Sequence, residues 1–174
     1  MNIALTGFMG SGKSSVGKEL AKKLGFKFVD TDDMIEKTAG VSINEIFARH
    51  GEKYFREIEA KIIKDISKEN SLVIATGGGA VLNPENIKNL RVNGVVVYLS
   101  VTPEQVYERV KNETHRPLLK CANPLAEIKK LLDNRKTAHD NNDFVFDAGS
   151  GAPQEIAGKI AGDAGVLKML KEKE

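Results

Sequence analysis

Short apolar runs alternate along this chain with longer amphipathic stretches. The apolar runs have the length and the β-branched or aromatic content of strands, and they cover residues 3–5, 26–29, 72–75, 95–99 and 144–146. Most of them are apolar throughout, which is typical of parallel strands that are covered on both faces. Amphipathic stretches near 14–24, 52–69, 103–111, 125–138 and 154–162 predict helices. The alternation therefore predicts an α/β fold, a three-layer sandwich with a five-stranded parallel sheet in the middle.

Local signals fix several helix ends. Three segments carry residues that cap the first turn of a helix: Ser42 with Glu45, Asn83 with Pro84, and Thr102 with Gln105. Gly25 and Gly51 stand where C-terminal caps are expected, and such caps need a positive φ. These signals support the predicted order of elements.

Composition limits the class of protein. With 174 residues the chain has the size of one domain, so we expect a single domain over 1–174. Basic residues exceed acidic ones by 26 − 24 = 2, too few to indicate a nucleic-acid partner. Cys121 is the only cysteine, which suits a reducing, cytoplasmic location. The chain starts without a signal-peptide pattern and has no apolar run near the roughly 18 residues of a membrane span, so we expect no membrane partner.

A glycine-rich motif follows the first predicted strand. Residues 7–14, GFMGSGKS, match GxxxxGK[ST] and lie between a predicted strand and a predicted helix. Glycines let the backbone amides turn toward a ligand, and the helix adds its positive amino end, so the segment predicts a nucleoside triphosphate site. Lys13 would contact the outer phosphates and Ser14 would bind magnesium.

Acidic residues follow the second predicted strand. Asp30, Asp32 and Asp33 lie at the carboxyl edge of the predicted sheet, where α/β folds bind ligands. In extended chain Asp30 and Asp32 point to the same side. One of them could support the magnesium, while the other orients the proton of an attacking hydroxyl. The alternative is that Asp32 or Asp33 only caps the next helix.

Glycines and arginines indicate a second ligand. Gly77, Gly78 and Gly79 directly follow a predicted strand, and their entropic cost is offset if a ligand approaches the backbone closely; a plain tight turn is the alternative. A guanidinium group grips a carboxylate or phosphate bidentately. Candidates for that contact are Arg56, Arg116 and Arg135. For any one arginine, exposure to solvent is the default interpretation.

Together these motifs resemble those of the shikimate kinase family. The resemblance runs in order through GFMGSGKSS, FVDTDDMIE, IFARHGEKYFREIE, VIATGGGAVL, HRPLL and an arginine about twenty residues further on. It implies a P-loop NTPase fold of the nucleoside monophosphate kinase type. It also implies a phosphotransferase of aromatic amino-acid biosynthesis, which passes the γ-phosphoryl of ATP to the 3-hydroxyl of shikimate and uses Mg²⁺.

The resemblance also implies roles for single residues. The catalytic residues would be Lys13, Asp32 and Arg116. The ATP-binding residues would be Gly10, Ser11, Gly12, Lys13, Ser14, Ser15, Arg109, Arg116 and Pro153. The shikimate-binding residues would be Asp32, Arg56, Gly77, Gly78, Gly79 and Arg135, and Ser14 with Asp30 would hold the magnesium. An acceptor-binding region is expected at about 31–62 and a mobile lid at about 112–124. Thr137 and His139 replace the proline and tyrosine that are usual in the family.

Two other functions remain open at this point. One is a P-loop kinase for another small acceptor, such as a sugar acid or a nucleotide. The other is a nucleotide-binding regulatory module that has lost turnover. The presence of all the charged candidates together favours an active enzyme, and we expect it to be a monomer.

Overall fold

All five strands lie in one parallel sheet. A computed structural model describes residues 1–111 and 123–172, apart from the side chains of 136–139 and 172. Its sheet has the order β2-β3-β1-β4-β5, and every neighbouring pair is parallel. The strands are β1 (Asn2–Thr6), β2 (Lys27–Asp30), β3 (Leu72–Ala75), β4 (Gly94–Ser100) and β5 (Phe144–Asp147). The predicted parallel sheet is confirmed, with strand ends shifted by one residue at most places.

Helices connect the strands and cover both faces of the sheet. In the described residues they are α1 (Lys13–Leu24), α2 (Thr31–Ala39), α3 (Ile43–Ile66), α4 (Pro84–Val92), α5 (Pro103–Val110), α6 (Pro124–His139), α7 (Pro153–Gly162) and α8 (Ala164–Glu172), and a short 3-10 helix covers Ala80–Leu82. None of these described helices is both long and apolar enough to cross a bilayer. The analysis of the sequence did not predict α2 or α8.

The predicted helix caps are present. Ser42 and Thr102 begin α3 and α5 with reciprocal capping boxes, and Asn83 caps α4. Gly25 ends α1 with a φ of 69°. Gly51 also has a positive φ, 77°, and its non-helical backbone separates two helical segments that meet at a kink within α3.

The core has two layers because successive residues of a strand face opposite sides of the sheet. Ile3 and Leu5 of β1 pack in one cluster with residues of α1, α7 and α8. Ala4, between them, packs in the other cluster with residues of α3 and α4. These two clusters confirm the three-layer arrangement. A third, smaller cluster joins Phe8 to α5 and α6 at the carboxyl edge of the sheet.

The strand order brings three strand ends together. Leu5 of β1 and Asp30 of β2 are both in register with Ala75 of β3. The segments that follow these strands therefore leave the sheet side by side. From β1 the chain first builds β2 and β3 on one side and later β4 on the other, so this edge is a topological switch point, the usual ligand position in such sheets.

Gly94 tests how tightly the sheet packs at its amino edge. A Cβ at this position would lie 2.8 Å from the backbone oxygens of Asn2 and Leu90, which cannot move cheaply. We expect Gly94→Ala to lower the free energy of unfolding by about 1–3 kcal/mol, the usual effect of overpacking. Chemical denaturation checks this value. The control is Gly162→Ala at the end of α7, where a Cβ meets no atom within 4 Å. A Gly94→Ala protein as stable as the control would contradict the prediction.

Candidate active site

The amino end of α1 is open to an anion. Gly12 occupies the N-cap position in the left-handed conformation, with a φ of 87°, and offers no side chain to the helix amides. The first turn of α1 contains no acidic residue either. By contrast, α2, α3, α4 and α5 each begin with a side chain that accepts a hydrogen bond from a first-turn amide. The free amides and the helix dipole at α1 thus provide a site for phosphate.

Lys13 folds back over the loop that precedes it. Its Nζ donates hydrogen bonds to the carbonyl oxygens of Gly7, at 2.8 Å, and Phe8, at 2.9 Å. Lys13 also lines a cavity of about 260 Å³ beside the loop. Among the predicted site residues that share this cavity are Gly10, Gly12, Ser14, Ser15, Asp30, Asp32 and Gly78.

Asp30 connects the loop to α2. One of its carboxylate oxygens accepts a hydrogen bond from Ser14 Oγ at 2.6 Å, and the other accepts one from the amide of Asp32 at 3.1 Å. Asp30 is therefore the N-cap of α2, and the alternative of capping by Asp32 or Asp33 is wrong. The prediction that Asp30 and Asp32 point to the same side because they lie in extended chain is also wrong, since α2 begins at Thr31. Asp30 and Asp32 nevertheless line the same cavity.

Asp32 is a half-buried carboxylate in the first turn of α2. Burial raises its pKa, the charge of Asp30 adds to this effect, and Lys13 opposes it. Its Oδ1 is buried and has no hydrogen-bond partner among the described residues. The carboxylate thus has a free oxygen and a tendency to take up a proton.

Glu59 lies near these residues but was not among the site residues predicted from the sequence. It lies in α3, is fully buried, and its Oε2 accepts a hydrogen bond from Arg56 Nη1 at 2.8 Å. Arg56 also pairs with the exposed Glu52, one turn earlier. The other Glu59 oxygen, Oε1, has no partner in the described part of the chain, and burial raises the pKa of this side chain. Its position in the FREIE segment, three residues after Arg56, predicts only a pair on one face of a helix and carries no signal that Glu59 is buried.

Arg135 of α6 approaches the same region. Its Nη1 lies 3.4 Å from the carbonyl oxygen of Gly78, and its guanidinium carbon lies 5.4 Å from the centre of the Phe8 ring. Burial lowers the pKa of Arg135, and the positive charge of Arg56 lowers it further. Two guanidinium groups thus lie near each other, an arrangement that an anion stabilises.

The glycine segment fits closely between these charged groups. A Cβ at Gly77 would lie 2.8 Å from Asp32 Oδ1 and 3.0 Å from Glu59 Oε1, and one at Gly79 would lie 2.5 Å from Arg56 Nη2. A side chain at either position would therefore displace the charged end of Asp32, Glu59 or Arg56.

Arg109 borders a second cavity, of about 250 Å³. Its guanidinium group donates to the carbonyl oxygens of Gly10, at 3.0 Å, and Ala148, at 2.6 Å. The predicted ATP-binding residues in this lining are Gly10, Ser11, Gly12, Ser15, Arg109 and Pro153. Because both cavities have Gly10, Gly12 and Ser15 in their walls, they adjoin along the glycine-rich loop.

Two predictions fall on parts that are not described. Arg116 and the expected lid at about 112–124 lie outside the described residues, except for the last two positions of that range. The side chains of Thr137 and His139 are outside them as well.

Comparison with known proteins gives the same family as the motifs. The family model described as shikimate kinase matches residues 9–164. A shikimate kinase of Thermodesulfovibrio yellowstonii is 50% identical over 159 residues, which are 91% of this chain and 92% of that protein. One from Caldicellulosiruptor bescii is 47% identical over 91% of this chain and 92% of that protein. This chain belongs to the shikimate kinase family.

A solved structure supports the fold of this family member. The shikimate kinase from Acinetobacter baumannii in complex with shikimate matches with a TM-score of 0.87 and 35% identity, over 99% of this chain and 94% of that one. The predicted α/β P-loop kinase fold is therefore confirmed. The chain is an ATP-dependent kinase, and the alternative of a binding module without turnover is set aside.

The buried carboxylate of Asp32 has a predictable effect on stability. Since its pKa is raised in the folded state, the folded protein binds a proton more tightly than the unfolded chain, and stability falls as the pH rises through this window. We expect Asp32→Asn to stabilise the free protein at pH 7 by about 1 kcal/mol, and by less at pH 4, although it impairs activity. Denaturation at the two pH values measures the difference. Asp33→Asn is the control because Asp33 is exposed. Lower stability of Asp32→Asn at pH 7 would contradict the assignment.

Proposed function

We propose that this chain transfers the γ-phosphoryl group of ATP to the 3-hydroxyl of shikimate and releases shikimate 3-phosphate and ADP. One observation carries the proposal. Asp32 lines the same cavity as Lys13 and Ser14, and its Oδ1 also lies near Gly77, beside Glu59, where an added Cβ would come within 2.8 Å of it. A carboxylate in this position connects the phosphate donor to a group of residues suited to an acid.

ATP occupies the two adjoining cavities in this proposal. The open amino end of α1 and Lys13 hold the phosphates, with Gly10, Ser11 and Gly12 forming the turn around them. The base lies in the second cavity between Arg109 and Pro153. The backbone contacts of Arg109 support this placement, since they fix its guanidinium group as one wall of the cavity.

Ser14 and Asp30 fit a magnesium ion. Their oxygens lie 2.6 Å apart, and the cavity beside them is the one assigned to the phosphates. Mg²⁺ prefers oxygen ligands and is commonly bound through one or two carboxylates together with substrate phosphates. When bound here, the ion would neutralise charge on the outer phosphates.

Arg56 and Arg135 hold the shikimate carboxylate in this proposal. Arg56 lies beside Gly79 and Arg135 approaches the carbonyl oxygen of Gly78, the neighbouring residue, and Glu59 orients Arg56 from the buried side. The relative from Acinetobacter baumannii, whose structure contains shikimate, supports the choice of acceptor. Gly77, Gly78 and Gly79 would lie beneath the ring.

Asp32 would accept the proton of the attacking hydroxyl. Its free Oδ1 and its raised pKa suit a group that takes up a proton during the reaction. Transfer is in line, and catalysis comes from positioning and charge neutralisation without a covalent enzyme intermediate. Arg116 would neutralise charge on the transferred group.

We expect Arg116→Ala to lower turnover by a larger factor than it weakens shikimate binding.

The same proposal includes one domain over 1–174, a monomer, and a location in the cytoplasm. The single cysteine supports a reducing compartment. Sedimentation of the purified protein tests the monomer.

Magnesium-dependent release of ADP tests the activity. We expect shikimate to stimulate it strongly and gluconate or nucleoside monophosphates to have little effect. Tight ATP binding without a response to shikimate would show that the acceptor is wrong. Omission of magnesium tests the metal separately.

Arg56→Lys tests the acceptor site. Lysine keeps the charge but loses the bidentate grip, so we expect the KM for shikimate to rise by about tenfold to a hundredfold while the KM for ATP changes by less than about twofold. The matched control is Arg49→Lys on the same helix, since Arg49 is exposed and pairs only with Glu45 among the described residues. Equal effects on both substrates would show that Arg56 does not belong to the acceptor site.

A further inference from the structure

Gly77, the first of the three glycines, uses its amide in a hydrogen bond within the protein. The amide of Gly77 donates a hydrogen bond to Thr31 Oγ1 at 2.9 Å. Thr31 is fully buried and is the first residue of α2, between Asp30 and Asp32. A buried threonine in an acidic segment thus supplies the acceptor for an amide that comes from β3, on the other side of the site.

The next two glycines differ from Gly77. Within the described part of the chain, the amides of Gly78 and Gly79 have no hydrogen-bond acceptor. Their carbonyl oxygens are used: that of Gly78 faces Arg135, and that of Gly79 accepts from the amide of Leu82. Gly78 also lines the cavity beside Lys13. Among the described residues, the amides of Gly78 and Gly79 are therefore unpaired, whereas the amide of Gly77 is paired with Thr31.

We infer that Thr31 is a positioning residue of the kinase reaction, which binds the Gly77 amide so that the glycine segment stays at a fixed distance from Asp32. This inference rests on the proposed function. Thr31 is covalently joined to Asp32, and the Asp32 carboxylate lies so close to Gly77 that a Cβ there would be 2.8 Å from its Oδ1. The hydrogen bond and the peptide bond thus form a short connection between the group that accepts the proton and the segment that supports the acceptor.

Glu59 also lies close to Gly77. A Cβ at Gly77 would contact both Asp32 Oδ1 and Glu59 Oε1, two buried carboxylate oxygens without partners in the described residues. If the amide of Gly77 lost Thr31 Oγ1 as its acceptor, a buried N–H group would be left unpaired in the segment beside these carboxylates, which costs free energy.

Thr31→Val removes the acceptor and keeps the shape of the side chain. We expect the KM for shikimate to rise about tenfold or kcat to fall by a similar factor, with the KM for ATP changed by less than about twofold, because a buried amide is left unpaired beside the acceptor. Thr31→Ser keeps the hydroxyl and should restore both constants to within about twofold of the original values. The control is Ser67→Ala, which removes another buried hydroxyl bonded to the backbone, far along α3.

Amide hydrogen exchange tests the same inference on the unaltered protein, so the test remains available if Thr31→Val does not fold. Without ligands, we expect the Gly77 amide to exchange slowly and those of Gly78 and Gly79 to exchange faster. Addition of shikimate should protect Gly78 and Gly79 and leave Gly77 unchanged.

The outcomes separate this inference from the proposed function. Equal exchange of all three amides in the free protein, or a Thr31→Val enzyme with unchanged constants for shikimate, would overturn the role of Thr31. A protein with a protected Gly77 amide but no shikimate-dependent ADP release would instead overturn the proposed acceptor.

Discussion

The open amino end of α1 is the constraint on which the rest of the site depends. The first turn of α1 has no capping side chain, and the glycine-rich loop that precedes it lines a cavity on this side. The position of α1 follows from the buried sheet, since β1 is the central strand and its carboxyl end lies beside that of β3. Asp30 at the end of β2 then completes the site through Ser14.

The cations of the site are held by the protein's own oxygens before any ligand arrives. Lys13 contacts carbonyl oxygens of the loop, Arg56 contacts Glu59, and Arg135 approaches the carbonyl of Gly78. These contacts limit the conformations that the three side chains adopt in the free protein. By contrast, Asp32 and Glu59 each keep one buried carboxylate oxygen without a hydrogen-bond partner in the described residues. That unfavourable burial is offset by the two apolar layers of the core, and it leaves a free oxygen at the reacting centre.

Much of the fold could be predicted because its signals are local. Most strands are continuous apolar runs, and the caps at Ser42 and Thr102 use residues only three positions apart. The start of α2 could not be predicted in this way. Its cap, Asp30, also serves Ser14, a partner that is sixteen positions away in the sequence and becomes a neighbour only in the folded sheet.

The candidate site shows the same division. The glycine-rich loop could be identified from its sequence because one short segment carries the whole motif. Glu59 could not be singled out, since a glutamate three residues after an arginine is usually an exposed helix partner. Only the packing of α3 against the Gly77 segment makes it a buried group. Likewise, the three glycines look equivalent in the sequence, and only the contact with Thr31 distinguishes the first from the others.

The proposed contact of Arg56 and Arg135 with a carboxylate would favour an acid over a neutral alcohol as acceptor. Arg135 is half-buried beside Arg56, and no carboxylate is recorded as its ion-pair partner among the described residues. Burial lowers the pKa of Arg135, and the positive charge of Arg56 lowers it further. An acceptor with a carboxylate relieves this repulsion and also forms hydrogen bonds, whereas a neutral alcohol of the same size leaves two cations together in a partly desolvated site. A nucleoside monophosphate could also supply negative charge, so charge alone does not exclude it. The close fit of Gly77 and Gly79 against Asp32, Glu59 and Arg56 leaves the geometry of the ring and its hydroxyl to decide between the two anions.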